Sequence, residues 1–407
     1  MTSEIRPVPA ADMRRWFEAV MVAFGEDVNE EQWALDQKLL EPERVLGAYV
    51  DGEVVGGGAA FTFQMTVPGG GRVPTAGVTM VGMMPTHRRQ GLLRQLMARQ
   101  LADVRAAGEP LAALWASEGS IYQRFGYGLG SLNGSIDIER SRAVFRQPIS
   151  AQGSVHLRDV SSAKPDMTAV YDIVRAATPG FYERSSEWWD VLLADPEFRR
   201  QGASKRFHAV AMRDGRAVGY VLYRVKSDWT DTGPANTLIV VELLAVDAQA
   251  TQQLWTYVFG VDLMSRIRAR LGPADHPLLL LVTEPRRLQL RISDGLWLRV
   301  VDVPAALAGR RYATDGSIVL DVTDEFMPEV AGRWRLTVSE GRGRTEPTMD
   351  PADLQLEIND LGSVYLGAVS FASLGRAGRT IELSNGARPR GDAMFESPIP
   401  AWCPEIF

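Results

Sequence analysis

The stretch Val81-Gly82-Met83-Met84-Pro85-Thr86-His87-Arg88-Arg89-Gln90-Gly91-Leu92-Leu93 runs from an apolar strand through a basic, glycine-bearing turn straight into an amphipathic helix. Apolar residues at Leu92, Leu93, Leu96, Met97, Leu101 and Val104 keep the helical period, and Gly108 stands where the helix should stop. Gly91 therefore opens the helix. Amides in a first helical turn have no intrahelical partner and lie at the positive end of the macrodipole, so they bind phosphate oxygens without help from a side chain. Arg88, Arg89 and Arg94 add positive charge. The turn lacks the Lys-Ser/Thr ending of a P-loop and the second and third glycines of a dinucleotide fingerprint.

What it resembles is the pyrophosphate loop of GNAT-type N-acetyltransferases, Arg/Gln-x-x-Gly-x-Gly/Ala, read here as Arg88-x-x-Gly91-x-Leu93, with Leu93 departing from the pattern. A second segment, Ala116-Ser117-Glu118-Gly119-Ser120-Ile121-Tyr122-Gln123-Arg124-Phe125-Gly126-Tyr127-Gly128, follows a predicted buried strand at Leu111–Ala116. With the first, it resembles the enhanced intracellular survival (Eis) family, and the resemblance covers essentially the whole chain. It implies two tandem acetyltransferase (GNAT) folds followed by a sterol carrier protein-like α+β domain, an α/β (α+β) chain overall. It also implies a homohexamer, and acetyl transfer from acetyl-CoA to amines of aminoglycoside-like or polyamine-like cationic substrates.

Such a transfer needs an anchored coenzyme, a polarised carbonyl, a proton acceptor for the amine and a proton donor for the departing thiolate. By resemblance, Val81, Gly82, Met83, Arg89, Gln90, Gly91, Leu92, Leu93, Arg94, Ser117 and Glu118 fall on coenzyme-binding positions. Tyr122 falls on the proton donor, with Tyr127 as runner-up. A phenol of pKa about 10 protonates a thiolate near 8.5 with a modest uphill step. The family's proton acceptor is the main-chain carboxylate of the last residue, here Phe407, at the end of the Pro-rich tail Pro398-Ile399-Pro400-Ala401-Trp402-Cys403-Pro404-Glu405-Ile406-Phe407. A free carboxylate near pKa 3.5 lies roughly seven units, or roughly nine kcal/mol, below an alkylammonium near 10.4, so apolar burial or a relaying water must narrow the gap. Glu26, Asp27 and Trp33 are candidate substrate contacts, because the N-terminal helices of such folds cover the acceptor site.

The elements that must position these groups recur along the chain. Helical patterns around Trp16–Phe24 and Trp33–Leu40 precede a meander of strands at Val45–Val50, Glu53–Val55, Ala59–Val67 and Val73–Met83. The order repeats after a polar stretch at 151–154, with predicted helices near Met167–Ala177, Ser186–Ala194 and Thr251–Leu271. Predicted strands there are Phe207–Met212, Ala217–Val225, Thr237–Val246 and Leu278–Val282. The turn Asp247-Ala248-Gln249-Ala250-Thr251 has neither basic cluster nor glycine, so the second copy is expected to be degenerate. A third block shows strands at Ser317–Val322, Gly332–Val338 and Val364–Leu366 and a helix near Val369–Leu374. The expected domains are thus 1–150 with the acetyl-CoA site, 151–295, and 296–407 supplying the terminal carboxylate.

At 407 residues the chain exceeds one core. Its 44 Lys and Arg against 50 Asp and Glu leave a net charge of −6, which argues against nucleic acid or anionic membrane as the partner and suits a small cationic amine. A single cysteine, Cys403, and four scattered histidines point to no metal and a reducing, cytoplasmic compartment. No run approaches a membrane span. Two alternatives remain: a protein-lysine N-acetyltransferase with an open groove, or a lipid-binding or regulatory protein with a vestigial core. A carrier-like domain is not evidence of lipid carriage, since fold does not give function.

Overall fold

The computed structural model describes residues 2–149 and 153–407; the expected division at 150–151 lies outside them. The chain forms two compact units, one of Met1–Ser131, Gly295–Ala401 and Glu405–Phe407, the other of Leu132–Asp294 and Trp402–Pro404. Among the described residues no helix is long and apolar enough to cross a membrane.

The first unit is built on a seven-stranded sheet of order β1-β2-β3-β4-β5-β16-β6. Its strands are β1 (Ser3–Pro7), β2 (Val45–Val50), β3 (Glu53–Thr66), β4 (Arg72–Met83), β5 (Leu111–Trp115), β6 (Gly128–Leu129) and the distant β16 (Leu296–Val300). The first four form an antiparallel meander, β5 runs parallel to β4, and β16 lies antiparallel between β5 and β6. Helix α1 (Met13–Phe24) buries Trp16, Phe17 and Val20 with Val45 and Ala59. After it come α2 (Glu30–Asp36), α3 (Leu92–Ala106) and the single turn α4 (Gly119–Tyr122). Helix α3 packs Leu92 and Leu96 with Leu46, Ala48 and Val50, residues of opposite strand parity to Val45, so the sheet is covered on both faces.

Register places the opening in this sheet. Strand β4 pairs with β5 only at Thr75↔Leu111, Ala76↔Ala112 and Gly77↔Ala113, then continues along β3 to Gly57↔Gly82 and Gly56↔Met83. Between Ala59↔Thr79 and Gly57↔Gly82 the β4 side holds one extra residue, Met80 and Val81 against Gly58, a bulge in which Met80 takes a left-handed φ of 52°.

The second unit repeats the plan in the order β15-β7-β14-β13-β10-β9-β8. Its strands are β7 (Leu132–Glu139), β8 (Ser154–Arg158), β9 (Phe207–Arg213), β10 (Arg216–Lys226), β13 (Asn236–Ala245), β14 (Met264–Ala269) and β15 (Arg291–Asp294), with β11 (Trp229–Thr230) and β12 (Gly233–Pro234) as a separate ribbon. Strands β8, β9, β10 and β13 are antiparallel neighbours, and β14 runs parallel to β13 as β5 does to β4. The helices are α5 (Val160–Ala177), α6 (Ser186–Leu193), α7 (Ala248–Gly260) and α8 (Leu278–Leu281).

Two expectations for this unit are corrected. The predicted helix Thr251–Leu271 is the helix α7, capped by the Asp247 carboxylate accepting from Ala250 N–H, followed by the strand β14. Leu254, Trp255, Val258 and Phe259 set a helical period, but Gly260 ends the helix and β14 alternates. Leu278–Leu281 is a helical turn, not a strand: Leu278 is buried while Leu280 is 79% exposed, which a strand buried on both faces would not allow.

The remainder of the first unit is a five-stranded sheet of order β19-β18-β17-β20-β21. It contains β17 (Gly316–Thr323), β18 (Gly332–Ser339), β19 (Arg342–Pro347), β20 (Leu354–Glu357) and β21 (Thr380–Glu382), with α9 (Val303–Gly309), α10 (Ile358–Tyr365), α11 (Phe371–Arg376) and α12 (Ala387–Phe395). Val364–Leu366, expected as a strand, closes α10, which a reciprocal Glu357/Asp360 capping box starts.

Strand β16 holds this module through Arg299, whose side chain is completely buried and bonds the buried Asp324 carboxylate; Asp324 also accepts from the amides of Phe326 and Met327. Arg299 Nε and Nη1 have no other partner among the described residues. Asp324→Asn therefore strands a buried cation, and should cost about 3–5 kcal/mol by the urea-unfolding midpoint. A loss below about 1 kcal/mol, the range of exposed pairs, would contradict this burial.

Candidate functional site

Where β4 leaves β5, a cavity of about 560 Å³ opens, a volume suited to a small ligand. Its wall comes from β4 (Val78, Thr79, Met80, Val81), from the end of β5 (Trp115, then Ala116 and Ser117), and from Tyr122. Met21, Phe24 and Glu26 close one side, and Ile406 and Phe407 another. The unpaired β4 edge leaves backbone amides and carbonyls there without a neighbouring strand. Gly82 keeps the edge close to α1: a Cβ on it would sit 2.8 Å from Ala23 Cβ.

Tyr122 ends the single turn α4 and is 7% exposed. Burial, with the Glu118 carboxylate adding to it, pushes its phenol up to about 12. Its ring meets Tyr127 edge-on at 5.9 Å. Tyr127 is fully buried behind it, its hydroxyl without a hydrogen-bond partner among the described residues. Burial raises that phenol further, against the lowering influence of the Arg299 guanidinium. Of the two tyrosines, Tyr122 lines the cavity and Tyr127 does not.

Phe407 lines the cavity, and its ring packs edge-on against Phe63 at 5.1 Å and Phe61 at 6.5 Å. Both partners are buried residues of β3, so the aromatic contacts hold the Phe407 ring against the sheet.

Past the β4 edge the chain enters the basic turn. Gly91 caps α3 with φ 82°, and no atom lies within 4 Å of where its Cβ would be. The first helical hydrogen bond runs from Gln95 N–H to Gly91 O, leaving the amides of Leu92, Leu93 and Arg94 without helical acceptors. Arg89, also left-handed at φ 62°, is exposed, and no partner for its side chain is found among the described residues. Arg88 is different: it donates to the carbonyls of Met83 (3.2 Å) and Ala23 (2.7 Å), binding the turn to α1 in place of presenting charge. The Arg94 guanidinium lies over the Phe326 ring at 5.0 Å. Unpartnered amides, open space above Gly91 and a free guanidinium fit a phosphate-bearing coenzyme.

The cavity thus unites Val81, Ser117, Tyr122, Glu26 and Phe407 from separate segments of the sequence. Asp27 and Trp33 do not line it: Asp27 is exposed, and Trp33 packs on Phe17 at 4.7 Å within the core under α1. Sequence reasoning missed Met21, Phe24, Gln32 and Trp115. Phe24, 43% exposed on the last turn of an amphipathic helix, carried the one readable signal. Trp115 Nε1 is a buried donor without a partner among the described residues. No group of three or more His, Cys, Asp or Glu able to hold a metal occurs among the described residues.

Three family models match the chain in succession: an acetyltransferase (GNAT) domain over residues 4–130, a second acetyltransferase (GNAT) domain over 180–300, and a sterol carrier protein domain over 303–404. The chain is 43% identical to an uncharacterized N-acetyltransferase of Streptomyces avermitilis, with 100% of each covered. It is 39% identical over 363 residues to N-acetyltransferase Eis of Mycobacterium tuberculosis, covering 87% of this chain and 86% of that protein. The crystal structure of Eis1 from Mycobacterium abscessus matches with a TM-score of 0.85 at 35% identity over 100% of both chains.

The burial of Tyr122 has a spectroscopic consequence. The alkaline absorbance titration of the protein minus that of Tyr122→Phe should show one phenol ionising near pH 12. A difference curve centred near pH 10, the free-tyrosine value, would mean that the ring is solvated.

Proposed function

The chain belongs to the Eis family of N-acetyltransferases, two GNAT domains followed by a sterol carrier protein domain, and from that premise we propose that it transfers acetyl from acetyl-CoA to amines of small cationic compounds, aminoglycoside-like or polyamine-like, held in the cavity beside β4. The observation that carries this reading is the lining. Tyr122, the Glu26 carboxylate and the chain terminus at Phe407 converge on one small cavity, and none of its lining residues is basic.

In this reading acetyl-CoA supplies a thioester carbonyl for attack by the amine and a thiol as leaving group. The amides of Leu92, Leu93 and Arg94 and the Arg89 guanidinium hold its phosphates, while Gln90 and Gly91 shape the turn. Ser117, in the cavity wall, and Glu118, the next residue, contact the coenzyme as well. The free edge at Val81, Gly82 and Met83 pairs with the extended arm and turns an N–H toward the carbonyl oxygen. Glu26 draws in the cationic substrate. The Phe407 carboxylate accepts a proton from the attacking nitrogen, and the Tyr122 hydroxyl donates one to the departing sulfur. A phenol near 12 is about two units, or about 3 kcal/mol, less willing a donor than free tyrosine. The same desolvation raises the pKa of a thiol released into this cavity, which narrows the mismatch. The proposal includes the divisions 1–150, 151–295 and 296–407, and a cytoplasmic homohexamer whose mass light scattering on the purified protein would give.

Acetyl-CoA-dependent thiol release with a panel of an aminoglycoside, spermine and a lysine peptide should show turnover on the two small polyamines; turnover on the peptide alone would overturn the substrate class. Tyr122→Phe should lower kcat by about a hundredfold with acetyl-CoA affinity kept, and Tyr127→Phe should stay near the parent; the reverse order would displace Tyr122 as donor. Arg89→Ala should weaken acetyl-CoA binding by about tenfold in isothermal titration, the loss of one charge-assisted contact. An unchanged dissociation constant would remove Arg89 from the cradle.

A further inference from the structure

The second unit carries a cleft of its own, about 650 Å³ in volume, on the matching parallel strand pair, β13 and β14. Its charge is opposite to that of the first unit's cavity: Arg200, Lys226, Arg268, Arg270 and Arg291 line it, with Asp137 as the single acid.

Strand alternation produces this face. Ile267 and Ala269 of β14, Ile136 and Ile138 of β7, and Leu238 and Val240 of β13 all enter the core under α7. Arg266 and Arg268 must then stand on the opposite face of β14, and Arg270, the next residue after the strand, lines the cleft with Arg268. Register brings Arg268 beside Asp137 and Ile239, Lys226 beside Thr237, and Arg291 beside Ser135. Asp137 bonds Arg266 at 2.7 Å and Arg268 at 2.8 Å, one carboxylate for two guanidiniums. Arg200 shares Asp195 with Arg224. Lys226, Arg270 and Arg291 are exposed and have no ion pair among the described residues. In a chain of net charge −6, a cleft with three uncompensated cations is a local reversal of sign that packing does not require.

We propose that this cleft is a binding site for a small, soluble anion bearing two or more phosphate groups. Two guanidiniums and an ammonium around a recess suit several phosphoryl oxygens at once, since a guanidinium fork grips a phosphate bidentately. A recess of this volume takes a ligand of nucleotide size, and Ile239, on the cleft face beside Arg268, gives it an apolar side. The duplicated domain, whose turn at Asp247 lacks a basic cluster, has thus kept a cleft on its parallel pair and turned it to a ligand of the opposite charge.

The test is isothermal titration of the full-length protein with inorganic tripolyphosphate, with acetyl-CoA present to fill the first unit's cradle. The parent should bind tripolyphosphate with an affinity that falls as salt rises. The double substitution Arg270→Ala with Arg291→Ala, at exposed positions whose side chains have no ion pair among the described residues, should weaken it at least tenfold, whereas Arg270→Lys with Arg291→Lys, which keeps the charge but not the forks, should fall between the two. The parent and variant comparison does not depend on the acetyl-transfer reading. No binding at millimolar tripolyphosphate, or equal affinity in parent and alanine variant, would overturn the proposal. So would attachment to phosphatidylglycerol vesicles without binding of free tripolyphosphate, which would make the face a lipid contact.

Discussion

Strand β4 is hydrogen-bonded to β5 over Thr75–Gly77 and then departs from it, and the rest of the site depends on that parting. A bulge at Met80 and Val81 bends β4 while β3 still holds it, so the strand's free edge opens onto a cavity instead of onto a neighbour. The same strand then delivers the chain into the Gly91 turn and α3. One irregularity in the sheet thus produces an open backbone edge, a cavity, and a helix start aimed past its end.

The cavity is completed from the far end of the sequence. The buried rings of Phe61 and Phe63 receive the Phe407 ring, and Phe407 lines the cavity. Tyr122 arrives on a single helical turn, too short to be stable alone, and is backed by Tyr127. Behind that pair, the Arg299–Asp324 contact joins β16 to the carrier-like module that leads to the tail.

Much of this was legible in residue order. The helical period after Gly91 and the unusual Ser117–Gly128 segment located the turn and Tyr122, and the repeated strand pattern located a second copy without a basic turn. Other features lay beyond local pattern. Strand β16 joins the first sheet and β7 the second, because sheet partners are chosen by long-range pairing that periodicity does not report. Residues 251–271 read as one helix, yet the helix ends at Gly260 and the alternating strand β14 follows it. Arg88 read only as one more positive charge in the turn, and local pattern gave no sign that it donates to the carbonyls of Met83 and Ala23. Trp33 read as a pocket wall and packs on Phe17 instead, since a tryptophan on an amphipathic helix serves either purpose.

The central claim is that the position of the Phe407 carboxylate, and not merely its charge, governs turnover. One glycine appended after Phe407 leaves every side chain intact and moves the carboxylate by about 3.5 Å, and a displacement of about 1 Å can cost a hundredfold in rate. The decisive measurement is kcat for a polyamine substrate in that extended protein, with acetyl-CoA affinity matched to the parent. The account predicts a fall of about a hundredfold or more. Turnover equal to that of the parent would contradict it and leave the proton acceptor to Glu26 or to water.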